Sequence, residues 1–153
     1  MTSPAALIRY PFEEPPAQGE ALEVAEGVLW LRLPLPMALD HVNVFAFDEG
    51  DSWTILDTGF DTRKSRAIWE AILSGPLRGK PVGRVIVTHY HPDHIGLAGW
   101  FVARGVAMAT TRTSWILARM LTLDVQPTPT EETLAFYRSE EHTSELQSPD
   151  HLV

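Results

Sequence analysis

Residues Thr88 to Gly96 read THYHPDHIG, and three histidines and an aspartate fall in the six positions from His89 to His94. An apolar run, Val85-Ile86-Val87, precedes them with the composition of a buried strand, and Leu97 to Arg104 follow with that of a helix. Neither solvation nor core packing gives a reason to crowd so many imidazoles into one loop. In extended backbone alternate side chains share a face, roughly 6.5 Å apart. His89 and His91 therefore reach one ion from one side, each nitrogen about 2.0–2.1 Å from it. Pro92 fixes the backbone and favours a turn. After the turn Asp93 and His94 meet at a second point close to the first, although Asp93 also reads as an N-cap of the next helix. The spacing gives two neighbouring cation positions, one with two imidazoles and one with imidazole plus carboxylate. That donor set suits zinc, iron or manganese. Two ions about 3.5–4 Å apart hold a bridging water, lower its pKa and polarise a carbonyl or phosphoryl oxygen.

The stretch before the motif reads as strands in quick succession. Residues 1 to 20 are rich in Pro, Glu and Ala, and Pro11, Pro15 and Pro16 predict an extended arm without regular structure. Val28 to Leu33 is a strand ended by Pro34 and Pro36, and Val42 to Phe47 is a second. Asp48-Glu49-Gly50-Asp51 is a hairpin turn, and Trp53 to Leu56 is a third strand ending at Asp57. Asp40 and His41 precede the second strand, where a solvated turn and a substrate contact are the competing readings. Asn43 lies inside that strand, where its amide can bond backbone. Asp61 or Thr62 caps a helix to about Ser74, with Ala67, Ile68, Ala71 and Ile72 as its apolar face and Trp69 at the flank. Gly75-Pro76 ends it.

Arg84 to Thr88 is the next strand, and it delivers the histidine loop at its C-terminal end, where ligand sites of α/β sheets commonly sit. Gly96 to Arg104 is a helix, Val106 to Ala109 a short strand, and Thr113 to Leu123 a helix with Ile116, Leu117, Met120 and Leu121 inward. Gln126 to Thr130 is a turn, and the caps at Thr130 start another helix. The five tryptophans are spread over different elements and read as packing rather than as a binding platform. Arg112 and Arg119 read as a solvated helix face.

His89-X-His91-X-Asp93-His94 after a strand resembles the signature of the metallo-β-lactamase superfamily. Ile55-Leu56-Asp57-Thr58-Gly59 resembles the family's strand and Asp-Thr-Gly element upstream, and Val42-Asn43-Val44-Phe45 its early strand. The resemblance covers roughly residues 22 to 123. It implies an α/β fold, the first half of an αββα sandwich with a mixed sheet and flanking helices. It also implies a one- or two-metal hydrolytic centre, with zinc the expected ion. His89 and His91 would hold the first metal, and Asp93 and His94 the second, with Asp93 also the catalytic carboxylate. Asp57 would stand behind the ligands and steady their loop, a role worth about 10–100-fold in affinity or activity. The implied reaction is attack of a metal-activated hydroxide on an ester, thioester, lactone or amide carbonyl of a small-molecule substrate. A phosphodiesterase or nuclease of the same fold is the alternative, and an inactive fragment with weak metal binding is another.

The family supplies a third histidine, a bridging aspartate and a final histidine from a later segment, and no residue here matches them. His142 is the nearest candidate, but Arg138 to Ser148, RSEEHTSELQS, resembles the translation of a sequencing-adapter oligonucleotide, and Asp150-His151-Leu152-Val153 resembles its continuation. The expectation is therefore a truncated domain over residues 21–137 and a non-native tail over 138–153, poorly soluble or partly molten alone, and inactive. The formal net charge is −8. Without the tail, 11 basic residues face 16 acidic ones, a net of −5. Either balance lacks the basic footprint of a nucleic-acid binder. With no cysteine there is neither a disulfide nor a thiolate metal site. The N-terminus carries no apolar run between basic residues, so no signal peptide or membrane span is expected, and cytoplasm is the expected compartment.

Overall fold

The computed structural model describes residues 11–123 and residue 131. Six strands form one sheet in the order in which they occur in the chain. They are β1 (Leu22–Ala25), β2 (Val28–Pro34), β3 (His41–Asp48), β4 (Trp53–Leu56), β5 (Val82–Val87) and β6 (Ala107–Thr110). β1 to β4 pair antiparallel, and β4–β5 and β5–β6 pair parallel. The turns explain the first half. Gly27, at φ 70°, and Gly50, at φ 87°, supply left-handed backbone for two tight reversals. Asp48 Oδ1 accepts from the Gly50 N–H at 2.8 Å, which closes the second. The parallel half needs crossovers, and helices supply them. β1 is absent from the sequence reading: four residues of mixed polarity carry little signal until a partner strand pairs with them.

The helices are α1 (Arg63–Ser74), α2 (Pro92–Ile95), α3 (Ala98–Val102) and α4 (Arg112–Leu123). Thr62 caps α1, its hydroxyl accepting from the Ser65 N–H at 3.0 Å. Leu31, Leu33, Val42, Val44, Ala46, Ile55 and Val85 share one face of the sheet and are buried. Ile68, Trp69 and Ile72 of α1 and Leu97 and Phe101 near α3 join the same core. Each Val, Leu, Ile or Phe side chain among them contributes about 1.5–3 kcal/mol on full burial. Trp30, Arg32, Asn43, Phe45, Phe47 and Ile86 alternate onto the other face, and none of them is fully buried.

Three helix expectations need correction. The buried face of α1 is Ser65, Ile68, Trp69 and Ile72, while Ala67 and Ala71 are exposed. Trp69 turns inward because its indole N–H donates to the Thr58 carbonyl at 2.8 Å and its ring meets Phe101 edge-on. The helix expected over Gly96 to Arg104 is only the short α3, and a separate turn of helix, α2, precedes it inside the histidine loop, with Gly96 and Leu97 between the two. In α4, Ile116 and Met120 are 48% and 58% exposed, so that half of the expected inward face is not covered. Of the tryptophans, Trp53 and Trp69 are buried, Trp30 and Trp100 half-buried and Trp115 exposed.

Close contacts divide the chain into one unit of residues 1–118, which holds the sheet and α1 to α3, and a second of residues 119–153. The turn over Gln126 to Thr130, His142 and the whole of 138–153 lie outside the described residues. So do residues 1–10 and, apart from Glu131, the helix expected from Thr130. Among the described residues no helix is long and apolar enough to cross a membrane.

Candidate metal centre

Two loops meet at the C-terminal ends of β4 and β5. One is Asp57-Thr58-Gly59, the other Thr88 to Gly96 with α2. Asp57 is the only non-glycine at positive φ among the described residues, at 62°. This backbone is costly for most side chains but tolerated by Asp and Asn. It aims the carboxylate back at the histidine loop. Oδ1 accepts from the Thr88 N–H at 2.8 Å, and Oδ2 accepts from the Thr88 hydroxyl and His94 Nδ1, both at 2.8 Å.

Thr58 makes a second clasp. Its N–H and its hydroxyl both donate to the His94 carbonyl at 2.8 Å, and the same hydroxyl accepts from the Leu97 N–H at 3.1 Å. Two glycines let the loops approach this closely. A Cβ on Gly96 would stand 2.4 Å from the Pro92 carbonyl oxygen and 2.9 Å from backbone atoms of Gly59 and Asp61. A Cβ on Gly59 would stand 2.3 Å from Leu33 Cδ1.

The four residues singled out by spacing are gathered by this clasp. The ring of His89 lies 4.0 Å from that of His94 and 4.6 Å from that of His91, centroid to centroid. His94 Nε2 is 3.2 Å from Asp93 Oδ2. Asp93 is not the N-cap: His91 holds that position, Pro92 opens α2 and Asp93 lies in its first turn. The Thr88 hydroxyl commits its only proton to Asp57 and so accepts from His89 Nδ1–H at 2.9 Å. That fixes the tautomer in which the His89 Nε2 lone pair is available. Thr88 and Thr58 were not assigned roles from sequence. Their positions, directly before the first histidine and directly after Asp57, are the signal that marks them.

The charges are coupled. Burial opposes the imidazolium of His94, but hydrogen bonds to Asp57 and Asp93 outweigh it and raise its pKa from 6.5 to about 9. Burial opposes ionisation of Asp57, yet His94 and the two donors of Thr88 hold its carboxyl below the ordinary range. Asp93 is lowered in the same way, its burial overcome by His94. His89 goes the other way, lowered by burial and by the neighbouring imidazoles of His94 and His91. The donor types fit a hard or borderline divalent cation: imidazoles with one lone pair freed, and a carboxylate facing an imidazole nitrogen. Among the described residues no three His, Asp or Glu side chains close on a single point. The arrangement therefore offers donors in pairs.

A mixed sheet with a histidine loop at the end of a parallel strand, clasped by an Asp-Thr-Gly turn, defines a metallo-hydrolase type of fold. The profile of the metallo-beta-lactamase superfamily matches residues 37–121, more than half of the 153 residues, and the chain belongs to that superfamily. It is 34% identical over 77 residues to the probable metallo-hydrolase YqjP of Bacillus subtilis (strain 168), an alignment covering 50% of this chain and 24% of that protein. The crystal structure of a beta-lactamase domain protein from Burkholderia ambifaria superposes with a TM-score of 0.69 at 40% identity, covering 75% of this chain and 39% of that one. The metallo-beta-lactamase FIM-1 of Pseudomonas aeruginosa, solved in its mono-zinc form, shares the fold at a TM-score of 0.54 and 22% identity, over 66% of this chain and 45% of that one. The chain thus spans about a quarter of the curated relative and about two fifths of the Burkholderia protein.

Proposed function

We propose that the chain carries one part of a metal-dependent hydrolase centre. His89 and His91 would hold one divalent ion and Asp93 with His94 a neighbouring one. Zinc is the favoured ion, in line with the mono-zinc form of FIM-1, and iron or manganese suit the same donors. The observation that carries this reading is His94. Its Nδ1 is fixed by Asp57 and its Nε2 faces Asp93, so a positive charge is already favoured between that nitrogen and carboxylate. When bound, a divalent ion supplies Lewis acidity, lowering the pKa of water and polarising a substrate oxygen.

The chain's own residues have distinct tasks. Asp57 orients His94 directly, and it orients His89 through the Thr88 hydroxyl. Thr58 locks the main chain of the loop, so the imidazoles do not need to be ordered when a cation arrives. Asp93 stays ionised and accepts a proton or a cation beside His94 Nε2. The substrate class proposed is a small molecule with an ester, thioester, lactone or amide carbonyl.

Zinc titration of the 153-residue chain by calorimetry, paired with hydrolysis of a nitrophenyl ester, a thioester and a lactone, tests the proposal. Binding should fall by tenfold or more in His94→Ala and in the double variant His89→Ala/His91→Ala, the order expected for losing a ligand's support. Unchanged zinc binding in both variants would refute the ligand assignment. Zinc binding without hydrolysis of any of the three substrates would leave the ligands in place and match the inactivity expected of this chain alone.

A further inference from the structure

A cavity of about 300 Å³ opens between the N-terminal segment and the ends of β2 and β3. Pro15 and Pro16 form one wall, and Arg32, Pro34, Asp40 and His41 the other. This end of the sheet is also the end of the histidine loop. β3 begins at His41 and runs antiparallel to β4, with Phe45 opposite Leu56, so its start lies beside Asp57 to Gly59. Leu33 of β2 packs on Gly59. Only β4 separates β3 from β5, which puts the two strands roughly 10 Å apart.

The polar groups of the cavity are arranged unequally. Asn43 stands opposite Arg32 in the β2–β3 ladder, but Asn43 Oδ1 is taken by the Trp30 indole N–H at 2.8 Å. The Asp40 carboxylate is engaged by His41 Nδ1 at 2.5 Å and its side chain is 82% exposed. Arg32 is half-buried, and among the described residues it makes no hydrogen bond or ion pair at contact distance, although its charge is felt by the Asp40 carboxylate from beyond that distance. A partly desolvated guanidinium whose N–H donors lack a protein acceptor is costly. An anionic ligand removes that cost with two parallel hydrogen bonds. His41, tethered at Nδ1, presents its other nitrogen as a second polar contact.

We propose that this cavity is a binding site for the carboxylate group of a small organic acid, with Arg32 as the anchor and His41, held by Asp40, beside it. A carboxylate is favoured over a phosphate because one guanidinium faces a rim that already carries the Asp40 charge. Those two charges already offset each other, so one added negative charge is repelled less than two. The site is independent of the metal reading and is tested with metal removed, so the two fail separately.

The test is a titration of the ¹⁵N-labelled full chain in EDTA with propionate, propionamide and inorganic phosphate, following the tryptophan indole resonances. Trp30 lies two residues from Arg32 on the same sheet face and reports the cavity, while Trp53 and Trp69 in the core serve as references. Propionate should move the Trp30 resonance saturably, and propionamide should not. Arg32→Gln should weaken propionate by about ten- to a hundredfold, as expected for a lost charge-assisted contact. Arg32→Lys should fall between, keeping the charge and losing the fork. Arg84→Gln, an exposed arginine on the same sheet face, should leave binding unchanged. The proposal is overturned if Trp30 does not respond to propionate, if phosphate binds as tightly, or if Arg84→Gln is as damaging as Arg32→Gln. An unchanged affinity in His41→Gln would overturn the part given to the imidazole.

Discussion

Replacing Asp57 by Asn separates the charge of that carboxylate from its shape. Asn tolerates the left-handed backbone at φ 62° and keeps one acceptor for the Thr88 N–H, so the turn survives. What is lost is half of the field that holds His94 protonated. The imidazole is raised from 6.5 to about 9 against its burial. At about 1.4 kcal/mol per pKa unit this is worth about 3 kcal/mol to the folded state. The same contacts lower Asp57 and Asp93, so the energy is counted once. Because the folded pKa lies above the unfolded one, this stabilisation is complete below about pH 6.5 and disappears as pH rises through about 9. The lowered carboxylates act at the other end: their share is present above about pH 4 and is lost as pH falls through their depressed values. Urea unfolding of the metal-free chain at pH 6, 8 and 10 measures the upper slope. The wild-type chain should lose about 3 kcal/mol across that range through this group, and Asp57→Asn about half as much. If the two proteins show the same slope between pH 6 and 10, His94 is not held by Asp57 and the account of the clasp is wrong.

Gly96→Ala should destabilise the metal-free chain by about 1–3 kcal/mol in urea unfolding, because the new methyl meets backbone atoms that cannot move away. Gly99→Ala, in α3 with nothing within 4 Å of the added Cβ, should be neutral or stabilise by about 0.5–1 kcal/mol. Thr62→Ala removes the cap of α1 and should cost about 1 kcal/mol in the same assay. Zinc affinity measured by calorimetry should rise about tenfold per pH unit between 7 and 9, since each ion bound at Asp93 and His94 must displace the proton held there; a flat profile would place the ion elsewhere.

The strands and the site loop were legible because their signals are local. Apolar runs and turn residues mark β2 to β4, and three histidines with an aspartate in six positions mark the loop. The faces of α1 and α4 were less legible, since helical spacing allows several stripes and only tertiary partners choose among them. Trp69 is buried because Thr58 offers it a carbonyl 11 residues upstream, a partner invisible to any window of periodicity. The break between α2 and α3 has a similar origin. Gly96 sits against Gly59 and Asp61, and the main chain turns there to let the two loops interlock. Asp57 was legible as a position in an Asp-Thr-Gly element, but its reach to both Thr88 and His94 depends on β4 and β5 lying side by side in parallel.

That parallel pairing explains why the donors are arranged before any cation is present. Ile55 stands beside Val85 and Leu56 beside Ile86, so the residues following each strand emerge together at one edge. Asp57 then stands next to Thr88, and one carboxylate orients two imidazoles, His94 directly and His89 through a hydroxyl. His89 is lowered by its burial and by the neighbouring imidazoles of His94 and His91, while His94, flanked by two carboxylates, is raised. The loop therefore favours a proton at His94 and a free Nε2 lone pair at His89. A divalent ion replacing that proton increases the local positive charge by one while meeting the same carboxylate. The residues that place the proton are then the residues that place the metal.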